Sequence, residues 1–176
     1  MKSFLSLLSV MLVSVSPVLS QAQLKVGDPA PEFKLPYATK DTIVFEGISS
    51  EDFAGKWYLL AFYPADWSSG CTKEVCTFRD AISDFDNLNV TVLGVSVDSP
   101  FSHRQWAQHE NLNFKLLSDQ THQFGKAMGV YNDTYGVFKR SVFVVGPDGT
   151  LKYIDYEYSV KDNQDFEALK EALAAR

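Results

Sequence analysis

The sequence is short of cysteine, histidine and clustered positive charge, and each shortage narrows what the chain can be. Cysteine occurs only twice, at Cys71 and Cys76, so at most one intramolecular bridge can form. Histidine occurs three times, at His103, His109 and His122. The three do not cluster, and ordinary surface or helix-end positions account for them. Lysine and arginine total 16 against 22 acidic residues, a formal charge of −6. No basic run stands out, which argues against a nucleic-acid partner. There is no repeat, no low-complexity tract and no Gly/Ser linker.

The N-terminal stretch reads as a targeting segment. Lys2 precedes an apolar run from Phe4 to Leu19, interrupted by serines, and Ser20-Gln21-Ala22 puts small residues where a signal peptidase needs them. The run is shorter than the ~20 apolar residues of a membrane-spanning helix, and no cysteine follows it to carry a lipid. A signal peptide over residues 1–22 is therefore expected, with no stable membrane insertion and a secreted or periplasmic product. The remaining residues 23–176 carry 15 basic and 22 acidic side chains, a charge of −7. Their length and their aromatic and aliphatic content suit one well-buried domain. Asn89-Val90-Thr91 and Asn132-Asp133-Thr134 match the glycosylation sequon, which has meaning only in a eukaryotic host.

Strand-type runs are expected at Trp57 to Tyr63, Val90 to Val97, Asn113 to Leu117, Ser141 to Val145 and Leu151 to Tyr158. Val92-Leu93-Gly94-Val95-Ser96-Val97 is nearly continuous and β-branched, as a strand covered on both faces should be. Helical periodicity covers Cys71 to Phe85, with Val75, Phe78 and Ile82 in one stripe. Pro100 to Glu110 follows the cap signal Asp98-Ser99, and Asp165 to Ala175 closes the chain as a helix. Pro147-Asp148-Gly149 joins two strand runs as a hairpin. Alternating strands and helices, then a hairpin and a helix, predict an α/β fold with a central mixed sheet flanked by helices.

Ser68-Ser69-Gly70 puts Cys71 in the first turn of its helix, where unpaired N–H groups and the helix dipole favour a negative charge. Helix N-termini and cationic neighbours favour the thiolate, the nucleophilic form of cysteine. Five residues of helix rise about 7.5 Å, which sets the Cα atoms of Cys71 and Cys76 roughly 8 to 9 Å apart. A disulfide needs less than about 7 Å. The pair can therefore bridge only if the helix unwinds. A static bridge in a non-helical segment, or a Cys76 that merely packs as a small apolar residue, are the alternatives.

The segment Phe62-Tyr63-Pro64-Ala65-Asp66-Trp67-Ser68-Ser69-Gly70-Cys71-Thr72-Lys73-Glu74 resembles the peroxiredoxin active-site motif. Phe78-Arg79-Asp80, the stretch from Val26 to Phe33, and Arg140 to Val145 resemble that family too, in the same order along the chain. Ser69 departs from the commonest pattern, in which proline is frequent. The second cysteine five positions on is similar to the bacterioferritin-comigratory-protein branch. The resemblance implies a thioredoxin-like fold and a peroxide-reducing activity with neither cofactor nor metal. Cys71 would be the peroxidatic nucleophile and Cys76 the resolving cysteine. Arg140 would stabilise charge on sulfur and oxygen, Ser68 would hold the peroxide, Pro64 would wall the pocket from water, and Glu74 would orient Arg140. A peroxide substrate, a thioredoxin-like or other dithiol reductant, and a monomer or homodimer are implied with it. Trp106 is expected in the core, and Trp67 flanks the motif within reach of a substrate or partner. An exported thioredoxin-like thiol–disulfide oxidoreductase would need a C-x-x-C pair, and a copper module a C-x-x-x-C pair with a distal histidine; the spacing here is C-x4-C.

Overall fold

The computed structural model describes residues 23–176, so the signal-peptide reading of residues 1–22 lies outside the described residues. A seven-stranded sheet organises the chain. Its strands are β1 (Lys34–Ala38), β2 (Ile43–Ser49), β3 (Trp57–Phe62), β4 (Val90–Ser96), β5 (Lys115–Ser118), β8 (Ser141–Val145) and β9 (Leu151–Asp155). They lie in the order β2-β1-β5-β4-β3-β8-β9. A two-stranded ribbon of β6 (Tyr131–Asn132) and β7 (Val137–Phe138) stands apart from it. The helices are α1 (Ser69–Asp80), α2 (Ile82–Asn87), α3 (Pro100–His109), α4 (Gln123–Ala127) and α5 (Gln164–Ala174). The sheet is mixed, as expected: β3 runs parallel to β4 and antiparallel to β8.

The pleat of β3 divides the core in two. Leu59 and Ala61 point into one apolar cluster with Val75, Phe78, Phe85, Trp106 and Leu169, drawn from α1, α2, α3 and α5. Tyr58, Leu60 and Phe62 point to the other face, against Phe33, Phe124, Phe138 and Phe143. Burial on both faces explains why β3 and β4 read as continuous apolar runs rather than alternating ones. Gly94 serves packing between neighbours: a Cβ there would lie 2.7 Å from Leu116 Cδ2. The β8–β9 hairpin turns at the expected Pro147-Asp148-Gly149, with Gly149 at φ 74° and the Asp148 carboxylate accepting from Thr150 N at 3.1 Å. Only glycine adopts that backbone conformation without strain.

Besides α4 and the β6–β7 ribbon, for which the sequence reading has no counterpart, two features differ from it. The expected single helix from Cys71 to Phe85 divides at Ala81, whose φ −98° and ψ 7° end α1 and begin α2. The β1–β2 hairpin was not anticipated. Pro36 inside β1 argues against a strand because proline donates no ladder hydrogen bond. The structure resolves this with a register irregularity between Leu35 and Tyr37, where Pro36 sits. Among the described residues, no helix is long and apolar enough to cross a membrane.

Candidate active site

The sheet register brings distant residues together at the end of β3. Phe62, its last residue, pairs with Ser141, the first of β8. Arg140 directly precedes Ser141, so antiparallel pairing delivers its guanidinium beside the loop that links β3 to α1. Pro64 opens that loop and is half-buried. Ser68 closes it as the N-cap of α1, with φ −74° and ψ 142°. Its Oγ accepts from Cys71 N at 3.4 Å, satisfying one of the free N–H groups of the first turn. Ser68 is exposed, so its hydroxyl also faces solvent.

Cys71 is the third residue of α1 and fully buried, in the cluster that holds Tyr63, Val75, Phe78 and Val142. Arg140 Nη2 donates to its Sγ at 3.4 Å. The same guanidinium donates through Nη1 to Glu74 Oε2, closing an ion pair whose carboxylate side chain is wholly buried. Glu74 Oε1 has no partner among the described residues. Burial pushes the Glu74 carboxyl up to about 8, even though Arg140 pulls it down. Burial also opposes the Arg140 charge, but Glu74 and the Cys71 sulfur outweigh it and shift that group upward. The guanidinium is thus a fixed cation between the Glu74 carboxyl and the Cys71 sulfur, presenting separate N–H groups to each. Gly70 leaves room for it: a Cβ there would lie 3.2 Å from Arg140 Nη2.

Four of the sequence-derived residues, Ser68, Cys71, Glu74 and Arg140, meet in this way. Cys76 lies elsewhere. Both cysteines are free, and α1 runs unbroken through them, so the separation of roughly 8 to 9 Å expected from helix geometry applies. The Cys76 thiol donates to Glu110 Oε2 at 3.6 Å. Burial, foremost, together with Glu110 and Asp80, pushes it up despite Arg79.

A second polar cluster lies beneath the loop and corrects the reading of His103. That residue is completely buried rather than on the surface. Its Nδ1 lies 3.0 Å from Asp66 Oδ2 and its Nε2 lies 3.2 Å from the Leu117 carbonyl oxygen. Asp66 also accepts from Tyr63 Oη at 3.0 Å and Ser102 Oγ at 2.7 Å. Burial and the Asp66 charge hold the Tyr63 phenol well above its ordinary value. His103, Trp106 and Ala107 form one buried stripe at helical spacing, and that pattern was the available signal. Trp106 is in the core, as expected. Trp67 is exposed, with φ 66°, and its Nε1 donates to Ser102 Oγ at 3.3 Å. Among the described residues, no group of three or more His, Cys, Asp or Glu side chains is arranged to hold a metal ion.

The structure thus places a buried thiol at a helix N-terminus, faced by an arginine and a capping serine. Residues 26–154 match the AhpC/TSA family. The chain is 34% identical over 148 residues to peroxiredoxin Bcp of Escherichia coli, covering 81% of this chain and 92% of that one. It is 36% identical over 148 residues to a mitochondrial thioredoxin-dependent peroxide reductase of Drosophila melanogaster, covering 80% of this chain but only 61% of that longer protein. The crystal structure of Enterococcus faecalis AhpC superposes with a TM-score of 0.76 at 26% identity, covering 85% of this chain and 90% of that one. The chain belongs to the AhpC/TSA family and is a peroxiredoxin.

Proposed function

We propose that the protein reduces hydrogen peroxide and organic hydroperoxides through Cys71, resolves the product with Cys76 and is recycled by an external dithiol. The observation that carries this reading is the 3.4 Å contact from Arg140 Nη2 to the buried Cys71 sulfur. In the first step the Cys71 thiolate attacks a peroxide oxygen. An S–O bond forms, the O–O bond breaks, and the departing oxygen takes a proton to leave as water or an alcohol. Arg140 stabilises the negative charge as it passes from sulfur to the leaving oxygen. The Ser68 hydroxyl donates to or accepts from the peroxide, and Pro64, with no N–H to hydrate, keeps water from that side. Glu74 orients the guanidinium.

Cys76 then attacks the Cys71 sulfenic acid once the helix between them has unwound. The S–S bond forms, hydroxide leaves from sulfur, and the proton of the Cys76 thiol converts it to water. Two electrons from the external dithiol reopen the bridge. The N-terminal pattern supports export by a cleaved signal peptide, so the reductant is a thioredoxin-like or other dithiol outside the cytosol.

Mass spectrometry of the reduced protein with one equivalent of hydrogen peroxide tests the reading. The native chain should form a Cys71–Cys76 bridge, Cys76→Ser should stop at the sulfenic acid or oxidise further, and Cys71→Ser should scarcely react. Normal turnover of Cys76→Ser with a thiol reductant would replace resolution by Cys76 with a one-cysteine mechanism.

A further inference from the structure

The residue that holds Cys76 sits on another helix. α3 ends at His109, and Glu110 follows as its C-cap. Backbone bonds from Glu110 N to Trp106 O at 2.9 Å and from Leu112 N to Ala107 O at 2.8 Å fix the turn that follows. This turn grips the C-terminal half of α1 at three points. The Cys76 thiol donates to Glu110 Oε2 at 3.6 Å. Arg79 Nη1 donates to the Glu110 carbonyl oxygen at 2.6 Å. Asn113 Nδ2 donates to the Arg79 carbonyl oxygen at 3.3 Å. Glu110 is in turn held by His109, whose Nδ1 lies 2.9 Å from Oε1, and the Glu110 side chain is only 17% exposed.

These contacts are all made to the folded α1, and a bridge between Cys71 and Cys76 requires that helix to open. We infer that Glu110 is a positioning residue for resolution: the Glu110–Asn113 turn is a clasp on α1, and Glu110 holds the Cys76 thiol in it until Cys71 has been oxidised. This rests on Cys76 being the resolving cysteine. Two consequences follow from one contact. Burial, and with it the carboxylate that accepts the thiol hydrogen bond at 3.6 Å, keeps the proton on Cys76 despite Arg79, so the second thiol is a poor nucleophile while the helix is intact. Opening α1 must also break the thiol–carboxylate hydrogen bond, so release of Cys76 is slower than for an unclasped helix. When α1 opens, Cys76 leaves Glu110 and can lose its proton. It then attacks Cys71, and the displaced hydroxide takes up a proton as water.

The test follows both steps in one rapid-quench experiment on reduced full chain. Trapping with dimedone counts the Cys71 sulfenic acid, and non-reducing peptide mapping counts the bridge. Glu110→Ala should speed bridge formation about fivefold, and Glu110→Gln, which keeps a weaker acceptor, about twofold. The sulfenic acid should form at the native rate in both, a readout that general loosening of the fold would not leave intact. Bridge formation at the native rate, or slower, would overturn the clasp while leaving resolution by Cys76 in place. A native protein that makes no Cys71–Cys76 bridge would refute both.

Discussion

Replacing Arg140 by methionine separates its proposed catalytic role from its structural one. The substitution keeps the unbranched apolar stem but removes the N–H groups that reach Cys71 Sγ and Glu74 Oε2. Loss of a preorganised charge donor at a reacting centre slows reactions by roughly 10² to 10³-fold, and that is the expected fall in the rate of Cys71 oxidation. Stability should respond separately, through Glu74. Burial already pushes this carboxyl from its usual 4.5 up to about 8 in the folded protein. A folded-state value above the unfolded one means that the native state holds the proton more tightly. The corresponding stability is fully present below about pH 4.5 and is lost as pH rises through about 8. At about 1.4 kcal/mol per pH unit, this group contributes at most about 5 kcal/mol across that window. Without Arg140 its proton is held more tightly still, so in Arg140→Met the loss of stability should continue to higher pH than in the native protein. Urea melts of reduced protein at pH 5, 7 and 9 measure this. Glu74→Gln in the Arg140→Met background should flatten the pH dependence without restoring the rate. A peroxide rate within tenfold of native in Arg140→Met would refute the catalytic role of the guanidinium. A restored rate in the double variant would mean that Arg140 serves only to neutralise Glu74.

Ser68→Ala should cost about 1 kcal/mol through loss of the α1 cap and lower the peroxide rate about tenfold, whereas Ser68→Thr should retain most of both, as urea melts and stopped-flow kinetics would report. Gly70→Ala should slow Cys71 oxidation several-fold without unfolding the protein, because the new methyl group would lie 3.2 Å from Arg140 Nη2. Asp66→Asn should destabilise the fold by about 2 to 3 kcal/mol, since His103, Tyr63 and Ser102 all address a buried charged acceptor; an unchanged urea midpoint would show that the cluster contributes nothing to stability.

The grouping of Ser68, Cys71, Glu74 and Arg140 was legible in the sequence because these residues are local to one loop, one helix start and one strand start. Pro64, Ser68, Cys71 and Glu74 fall within eleven residues, and Arg140 directly precedes an apolar run that must be a central strand. The buried strands β3, β4 and β8 were equally clear, since coverage on both faces leaves few polar positions. What escaped was of two kinds. The β1–β2 hairpin carried contradictory signals, such as Pro36 in β1, which only the irregular register explains. Two nonlocal polar contacts also escaped: Cys76 meets Glu110 across 34 positions and Asp66 meets His103 across 37. His103 could have been found from its spacing to Trp106 and Ala107, had the histidines been read as part of a helix face. The break at Ala81 has neither glycine nor proline to announce it.

The most direct test of Cys71 as the peroxide-reactive thiol sets the two cysteines against each other in one molecule. Reduced native protein is given a tenth of an equivalent of hydrogen peroxide in the presence of dimedone, and the adduct is located by peptide mass spectrometry. The helix N-terminus and Arg140 act on Cys71, whereas Cys76 is kept protonated by burial and by Glu110. Sulfenic acid should therefore be captured on Cys71 in at least about 100-fold excess over Cys76. Comparable labelling of the two cysteines would contradict the assignment of peroxide chemistry to Cys71.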